Sequence, residues 1–424
     1  MFFIYQILTY LILLISPIIV LFRLIKKKES KLRFIEKFTI FSKQRKKGTL
    51  IWFHVASVGE LISIIPLVRK FESEKKIKTI LITSSTLSSS YIFTKFKFKK
   101  TIHQFFPLDL KYFASRFINY WKPSICIFID SEIWPNMFCK IKDKSIPLVL
   151  MNARITERSF KRWNIFKNFA TKVFNKIDFA FPQNQETINY LKKFKVKKIK
   201  NLGNLKFAKQ NKIDQSFFSK KFYKQFRKRV VFTAVSTHPS EEIIIAKMHK
   251  LLKISIPNLI TIIIPRHIER ITGIKDQLEA LKLSVEIKSI NKIINTDTDI
   301  LLVDSYGETK KFFPITNLVF MGGSLIEHGG QNPIEPATFN LNILHGPHIK
   351  NFKEVYKFFG IKKISFQIKK VSDLVKKSKI LLKKRRSKKI NIDKLGERTL
   401  NLAFFEIKKI INHHENKKTK ILGQ

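Results

Sequence analysis

The sequence predicts an α/β protein with two parallel sheets, one in each half of the chain. Short apolar runs alternate with segments whose apolar residues recur at helical spacing, as in strands wound with helices. This alternation occurs twice, on either side of a stretch near residues 204–220 that loses its apolar periodicity. At 424 residues, the chain is also long enough for two domains with separate cores.

The strands are predicted where the apolar runs fall. In the first half these runs cover residues 50–55, 78–83, 124–130, 146–151 and 178–181. In the second half they cover residues 230–236, 259–265, 300–304, 317–323 and 342–346. Helices fit between the runs, and the segment LISIIPLV after Glu60 has its apolar residues on one helical face. A Lys-rich helical stretch ends the chain.

A hydrophobic segment begins the chain. Residues 2–22 (FFIYQILTYLILLISPIIVLF) are about long enough to cross a bilayer, and the basic RLIKKK follows at once. No small-residue cleavage site follows, so we expect an anchor helix over residues 1–25 with the body on the cytoplasmic side. Tyr5, Gln6, Thr9 and Pro17 leave open whether this helix crosses the bilayer or lies in its interface.

The charge of the chain is extreme, at +51. Such a charge ordinarily suggests nucleic acid or an anionic surface. Lys, Ile, Asn and Phe are enriched together, however, as AT-rich codons produce, and the Lys residues are scattered along the chain. We therefore predict no nucleic-acid partner, only a modest attraction to anionic lipid. The two cysteines, Cys126 and Cys139, are expected to be reduced thiols, and no CxxC or HExxH motif predicts a metal.

Parallel sheets bind ligands at the carboxyl ends of their strands, so the turns after the strands are the candidate sites. In the first half, Glu60 follows the strand LIWFHV within HVASVGE, at the start of a helix. There a carboxylate is kept ionised by the helix dipole and could accept a proton from an alcohol. Helix capping by this Glu remains an equal alternative. Glu132, in SEIWPN, is a second carboxylate beside Trp134 and Pro135.

The second half has turns suited to a phosphate. Only 13 glycines occur in the chain, yet four lie in nine residues of MGGSLIEHGGQNPIEPA, at Gly322, Gly323, Gly329 and Gly330. Glycine after a strand lets the backbone approach a phosphate, and a helix beginning near Asn332 and Pro333 would present free N–H groups. Two other strand ends add hydrogen-bonding groups. PRHIER contains Arg266 and Arg270, and VSTHPSEE contains Ser236, Thr237 and His238. Arg270 could equally lie on a solvated helix face.

These turns, in order, resemble those of the bacterial 3-deoxy-D-manno-oct-2-ulosonic acid (Kdo) transferases. The likeness runs from the N-terminal anchor to about residue 352 and includes HVASVGE, SEIWPN, NARITERS, GNLKF, STHPSEE, PRHIER, DSYGE and GPHIKNF. It implies a GT-B glycosyltransferase fold with two Rossmann-like domains facing a cleft. These would be an acceptor domain at residues 26–210 and a CMP-sugar donor domain at residues 211–424.

The resemblance also implies an activity. It is inverting, metal-independent transfer of Kdo from CMP-Kdo to a lipid A precursor, lipid IVA, in lipopolysaccharide core synthesis at the inner membrane, with no cofactor. The family's general base falls on Glu60, and its charge-stabilising residues fall on Glu132 and Lys206. Its CMP contacts fall on Pro265, Arg266, Tyr306, Gly307, Glu308, Asn332, Pro333, Ile334 and Glu335. The chain departs from the family pattern at Ser131, Ala208, Tyr306 and Gln331, where Thr, an acid, Met and His are usual.

Two alternatives remain open at the level of sequence. The first is another GT-B transferase of the cell envelope, since the architecture does not choose the nucleotide. The second is a basic scaffold for a membrane surface or nucleic acid, without catalysis. The strand-end glycines and acids disfavour the scaffold, because a protein without catalysis does not require them at these positions.

Overall fold

The computed structural model describes residues 1–208, 218–290, 293–383 and 392–422. The chain divides into two compact units, Met1–Asn211 together with Asp393–Gln424, and Lys212–Ile392. The break predicted near residues 204–220 lies partly outside the described residues.

The first unit contains a seven-stranded parallel sheet. Its strands are β1 Thr49–Val55, β2 Ile77–Ser84, β3 Thr101–Phe105, β4 Ile125–Ile129, β5 Leu148–Ala153, β6 Phe179–Pro182 and β7 Lys198–Ile199. The spatial order is β3-β2-β1-β4-β5-β6-β7. The chain runs outward from β1 to one edge, then returns to β4 on the other side of β1. This reversal makes the carboxyl ends of β1 and β4 the switch point at which such sheets bind ligands.

Helices cover both faces of this sheet, and apolar side chains from both meet it in two core clusters. Its helices are α1 Phe2–Ile25, α2 Val58–Glu72, α3 Leu87–Thr94, α4 Lys111–Trp121, α5 Pro135–Asp143, α6 Glu157–Ile165, α7 Lys167–Phe174 and α8 Gln185–Lys193. Two 3₁₀ turns, Phe34–Phe38 and Leu205–Phe207, complete the unit. By length and composition, α1 is the one helix among the described residues that could cross a membrane.

The second unit contains another seven-stranded parallel sheet. Its strands are β8 Val230–Thr237, β9 Leu259–Pro265, β10 Val285–Ile287, β11 Ile300–Leu302, β12 Leu318–Met321, β13 Asn342–His345 and β14 Ser365–Gln367. The order β10-β11-β9-β8-β12-β13-β14 places the switch point between β8 and β12. Its helices are α9 Lys220–Lys224, α10 Glu241–Lys253, α11 Ile271–Glu279, α12 Thr309–Phe312, α13 Ile334–Thr338, α14 Lys353–Ile361 and α15 Val371–Lys383.

The last helix, α16 Ile392–Leu422, returns to the first unit. Ala403 and Ile407 are fully buried in the core cluster that also contains β1 residues. Glu415 accepts a hydrogen bond from Thr49 Oγ1 at 2.7 Å and pairs with Lys76 at 2.6 Å. We predicted that the second domain extends over residues 211–424. Its C-terminal end is corrected here, because the helix that begins near residue 393 belongs to the first unit.

The predicted α/β class with two parallel sheets is confirmed, and a strand is present at each predicted apolar run. Such strands are buried on both faces, which explains their continuous apolar character. In β1, for example, residues 50–55 are all fully buried.

Candidate active site

Glu60 lies in the first turn of α2, directly after β1 at the switch point. Ser57 caps the helix, since its hydroxyl accepts the Glu60 N–H at 3.3 Å. The Glu60 carboxylate reaches back to accept the Ala56 N–H at 2.7 Å and the Ser57 hydroxyl proton at 2.9 Å. This resembles a capping box, except that the carboxylate accepts the N–H of the residue before the cap, so Glu60 does help to cap its helix.

Besides capping its helix, the Glu60 carboxyl is affected by burial and by neighbouring charges. The pKa of the Glu60 carboxyl is raised to about 7, chiefly by burial and also by the charges of Asp130 and Glu132, against the lowering effect of the Ala56 hydrogen bond. The expected ionisation by the helix dipole is therefore outweighed by burial and by two nearby carboxylates. A carboxyl with a pKa near 7 is suited to exchange a proton at physiological pH, as a general base must.

Glu132 follows β4 and is held by two ring N–H groups. Trp134 Nε1 donates to Glu132 Oε2 at 3.0 Å, and His54 Nε2 lies 3.3 Å from the same oxygen. His54 is fully buried in β1, and burial lowers its pKa, so the ring is neutral. A neutral ring that donates from Nε2 must accept at Nδ1, where the Thr83 hydroxyl lies at 2.9 Å. The buried ring of His54 thus fixes the position of the Glu132 carboxylate.

Lys206 comes to the same edge of the sheet through Asp130. Lys206 Nζ lies 3.4 Å from Asp130 Oδ2, and Asn152 Nδ2 donates to Asp130 Oδ1 at 2.6 Å. Asn152 Oδ1 in turn accepts the Leu205 N–H at 3.1 Å, which holds the turn that carries Lys206. Asp130 and Asn152 both adopt left-handed backbone angles, with φ of 55° and 53°. Asp and Asn tolerate this conformation better than most residues.

Sequence reasoning missed three members of this group, His54, Asp130 and Asn152. Asp130 satisfied the criterion that selected Glu60, an acid directly after an apolar strand, and could have been found by it. His54 gave no such signal, because it lies inside an apolar strand. Asn152 directly follows the predicted run 146–151, within NARITERS, and could have been found by its position at a strand end. The structure thus brings the predicted Glu60, Glu132 and Lys206 to one sheet edge of the first unit.

The glycine-rich segment of the second unit is built around a carboxylate. Glu241, fully buried at the start of α10, accepts N–H groups from Gly323 at 2.7 Å, Ser324 at 3.1 Å and Leu325 at 3.0 Å. It also accepts the His238 N–H at 3.0 Å. The prediction that this backbone binds a phosphate is therefore wrong for these three loop N–H groups, which Glu241 already occupies.

Arg266 and Arg270, four residues apart, differ in environment. Arg270 donates from both terminal nitrogens to Glu242, at 3.1 and 3.3 Å, and Glu242 is 1% exposed. Arg270 is therefore a structural ion pair and not a residue on a solvated face. Arg266 is exposed at the end of β9, and its guanidinium has no hydrogen bond within the described part of the chain. It remains free to bind an anion.

Three histidines lie beside Arg266. The His238 ring is 4.0 Å from the His328 ring and 6.0 Å from the His267 ring, measured between centroids. The pKa of His238 is lowered to about 4, chiefly by burial and also by the neighbouring His328, His267 and Arg266. The positive charge at the carboxyl ends of β8 and β9 therefore comes from Arg266, beside a His238 ring that is neutral.

The segment after β11 holds three further predicted residues. Burial alone would raise the pKa of Glu308, but hydrogen bonds from Lys288, Ser305 and Lys311 lower it below its ordinary value, so the carboxylate is ionised. Tyr306 is 66% exposed, and its hydroxyl donates to Glu269 Oε2 at 3.2 Å. Gly307 has a φ of 82°, which a side chain would strain.

The remaining predicted residues lie at α13. Asn332 Oδ1 accepts the Ile334 N–H at 3.1 Å, and Pro333 is the N-terminal cap residue. Glu335 pairs with Lys310 at 3.2 Å. The predicted helix start is present, but the helix is only five residues long, so its dipole is small. Pro265 is the buried last residue of β9.

Two parallel sheets, each with its polar groups at the carboxyl edge near the switch point, are the arrangement of the GT-B fold. A solved glycosyltransferase from Rickettsia africae has this fold, with 12% identity, a TM-score of 0.54, and coverage of 87% of this chain and 99% of that one.

Sequence comparison places the chain more narrowly. Residues 32–209 match the family model described as 3-deoxy-D-manno-octulosonic-acid transferase (kdotransferase). The chain is 33% identical to the 3-deoxy-D-manno-octulosonic acid transferase of Haemophilus influenzae, over 72% of this chain and 73% of that one. It is 34% identical to the transferase of the same name from Rickettsia bellii, over 83% of this chain and 84% of that one. The chain belongs to the Kdo transferase family.

Proposed function

We propose that the protein transfers Kdo from CMP-Kdo to a lipid A precursor, lipid IVA, during lipopolysaccharide synthesis on the cytoplasmic side of the inner membrane. The observation that carries this proposal is the Glu60 carboxyl, whose pKa is about 7, at the switch point of the first sheet. The family membership supplies the donor and acceptor.

The proposed reaction moves one proton and exchanges one bond. Glu60 accepts the proton of the acceptor's primary hydroxyl as its oxygen attacks the anomeric carbon of Kdo. The bond from that carbon to the CMP phosphate oxygen breaks, and CMP leaves as an anion. Because a phosphate leaves as a stable anion, no general acid is required. Attack opposite the leaving group inverts the anomeric centre.

The other predicted residues stabilise the charges that develop. The Glu132 carboxylate stabilises the positive charge that develops on the oxocarbenium-like carbon. Lys206 stabilises the departing phosphate or the sugar's own carboxylate. We propose that CMP is bound by Pro265, Arg266, Tyr306, Gly307, Glu308 and the segment Asn332–Glu335. We propose that transfer needs no metal, as the resemblance to the family implies.

The direct test is to incubate the full chain with CMP-Kdo and a tetra-acylated lipid A disaccharide. The mass of the lipid product should increase by at least one Kdo unit. NMR should show the inverted anomeric configuration, and transfer should continue when EDTA is present. A retained configuration would contradict the in-line mechanism, and transfer only from a different nucleotide sugar would contradict the proposed donor.

Replacing His54 by Phe should lower turnover about tenfold with little change in KM. Phe preserves the stacking on Phe106, where the rings are 3.9 Å apart, but removes the contact to Glu132. A hydrogen bond to a charged group contributes about 1.5–3 kcal/mol, hence the size of the effect. Steady-state kinetics would measure it. Thr83→Val is a second variant, which removes the His54 partner but also the acceptor of the buried Trp52 Nε1–H, so its turnover is compared at equal folded fraction. A purely structural His54 would lower the melting temperature and leave the turnover of the folded fraction unchanged.

Arg266 and Arg270 form a matched pair for the donor site. Arg266→Ala should raise the KM for CMP-Kdo about tenfold, the value of one charged hydrogen bond, without loss of stability. Arg270→Ala should instead lose about 2 kcal/mol of stability in urea unfolding, since the buried Glu242 loses its charged partner and keeps only the Thr237 hydroxyl. In a thermal shift assay, CMP should stabilise the wild type and UDP should not. A loss of stability in Arg266→Ala together with a raised KM for CMP-Kdo in a stable Arg270→Ala would contradict the assigned roles.

A further inference from the structure

We propose that α1 lies in the plane of the membrane surface, docked along the first unit with its apolar face in one leaflet, and does not cross the bilayer. The proposal rests on the membrane location proposed above. It decides between the two positions that the sequence left open.

The N-terminal end of α1 is fixed to the body of the first unit. The Tyr5 hydroxyl donates to Asp109 Oδ2 at 2.8 Å. Asp109 is 6% exposed and also accepts two backbone N–H groups at the start of α5, so it belongs to the folded core. The Phe2 and Tyr5 rings pack on Phe169 of α7, with centroids 5.1 and 5.8 Å away.

The C-terminal end of α1 is fixed to the same unit. Arg23 Nε donates to Glu29 Oε2 at 3.1 Å, and Glu29, 4% exposed, also binds Lys37. Lys37 lies in the 3₁₀ turn Phe34–Phe38, which is tied to the sheet because the buried Glu36 accepts the Phe105 N–H at 2.7 Å. Both ends of the helix thus contact one folded body.

These two attachments exclude a spanning helix. Tyr5 and Arg23 are 18 residues apart in one helix, which corresponds to about 27 Å at about 1.5 Å per residue. A spanning helix would place its two ends on opposite sides of an apolar layer about 30 Å thick. The body would then have to lie inside that layer to keep both contacts. A helix parallel to the surface keeps both at no such cost.

The faces of α1 agree with this orientation. Thr9 and Ser16 are 7% and 4% exposed, on the side that faces the body. The outer side is a continuous apolar surface made of the exposed residues Phe3, Ile4, Ile7, Leu8, Leu11, Ile12, Leu14, Ile15, Ile18, Ile19, Leu21, Phe22 and Ile25. Exposed Ile165 and Phe166, close in sequence to Phe169, add to the apolar surface of the unit.

We infer that the apolar outer side of α1 binds an anionic bilayer. Exposed Lys26, Lys27, Lys28 and Lys31 follow the apolar face directly, where headgroup phosphates would lie. An apolar helix face bordered by Lys is the pattern of interfacial anchors, in which hydrophobic burial and attraction to anionic lipid act together.

The depth of three residues in the bilayer tests the proposal. Phe3, Leu14 and Ile25 are 72%, 74% and 71% exposed, and their spacing of 11 residues, about three turns, places them on one face. Spin labels at each, introduced singly as Cys in a Cys139→Ser chain, would be read on vesicles of phosphatidylglycerol and phosphatidylethanolamine. Cys126 is fully buried and is kept. Relative accessibility to oxygen and to a nickel chelate should give the same shallow depth at all three positions.

A profile that is deepest at Leu14 and shallow at Phe3 and Ile25 would overturn the proposal, as would failure of the chain to bind the vesicles. Tyr5→Phe should increase the mobility of the label at position 3, whereas Tyr10→Phe, on the outer face, should not. Equal effects of the two substitutions would also overturn it. Kdo transfer is assayed separately, so an active chain with a spanning profile rejects only this inference, and a flat profile without transfer rejects only the proposed function.

Discussion

Glu60→Gln is expected to lower turnover by about two to four orders of magnitude, the usual contribution of a general base. Gln retains an oxygen that can accept the Ala56 N–H, so the start of α2 should remain folded. It cannot accept the proton of the attacking hydroxyl. Stopped or continuous assays of CMP release on the folded variant would measure the loss, and near-normal turnover would mean that Glu60 only caps its helix.

The pH dependence distinguishes the same two roles. A general base must be deprotonated, and the pKa of Glu60 is about 7, so turnover should rise with pH through that value and level off above it. This limb should disappear in the Gln variant.

Glu72→Gln is the matched control, because Glu72 lies at the other end of α2 and also accepts backbone N–H groups, from Lys99 and Lys100. It should lose stability without losing turnover.

Lys206→Met is expected to have the second largest effect, a loss of about 10²–10³-fold in turnover. This is the size found when one preorganised charge-stabilising donor is removed from an active site. Met preserves much of the aliphatic stem, and Asp130 keeps its hydrogen bond from Asn152 at 2.6 Å, so the fold should survive. Circular dichroism and kinetics on the same sample would separate folding from catalysis.

Lys200→Met is the control for this substitution. Lys200 lies six residues earlier and also pairs with an acid, Glu406, but on the exposed surface of the first unit. Its loss should change turnover less than twofold, since exposed ion pairs contribute about 0–1 kcal/mol to stability and this one lies away from the switch point. Equal losses from the two lysines would show that overall charge, and not position, matters.

Much of the fold follows from the sequence alone. Every strand predicted from an apolar run is present, and these strands are the interior strands of the two sheets. Interior parallel strands are covered by helices on both faces and therefore read as apolar runs. The missed strands are β3, β7, β10 and β14, which are the four sheet edges. Edge strands need less apolar sequence, as the polar TIHQF of β3 illustrates.

The sequence also located the acids of the candidate site, because a side chain directly after an interior strand must lie at the ligand-binding edge. Glu60 and Glu132 were found in this way. What the sequence left open at Glu60, base or cap, is a question of burial and of neighbouring charge. Asp130, which is distant along the chain, helps to raise its pKa.

Only the tertiary structure decided the remaining features, since each depends on groups far apart in sequence. Glu241 occupies the N–H groups of a loop more than 80 residues away, so a glycine-rich segment became an internal carboxylate site. The helix α16 buries its apolar face on the first sheet after the chain has built the second. Tyr5 meets Asp109, 104 residues later, and this contact orients a helix whose composition alone is compatible with two positions in a membrane.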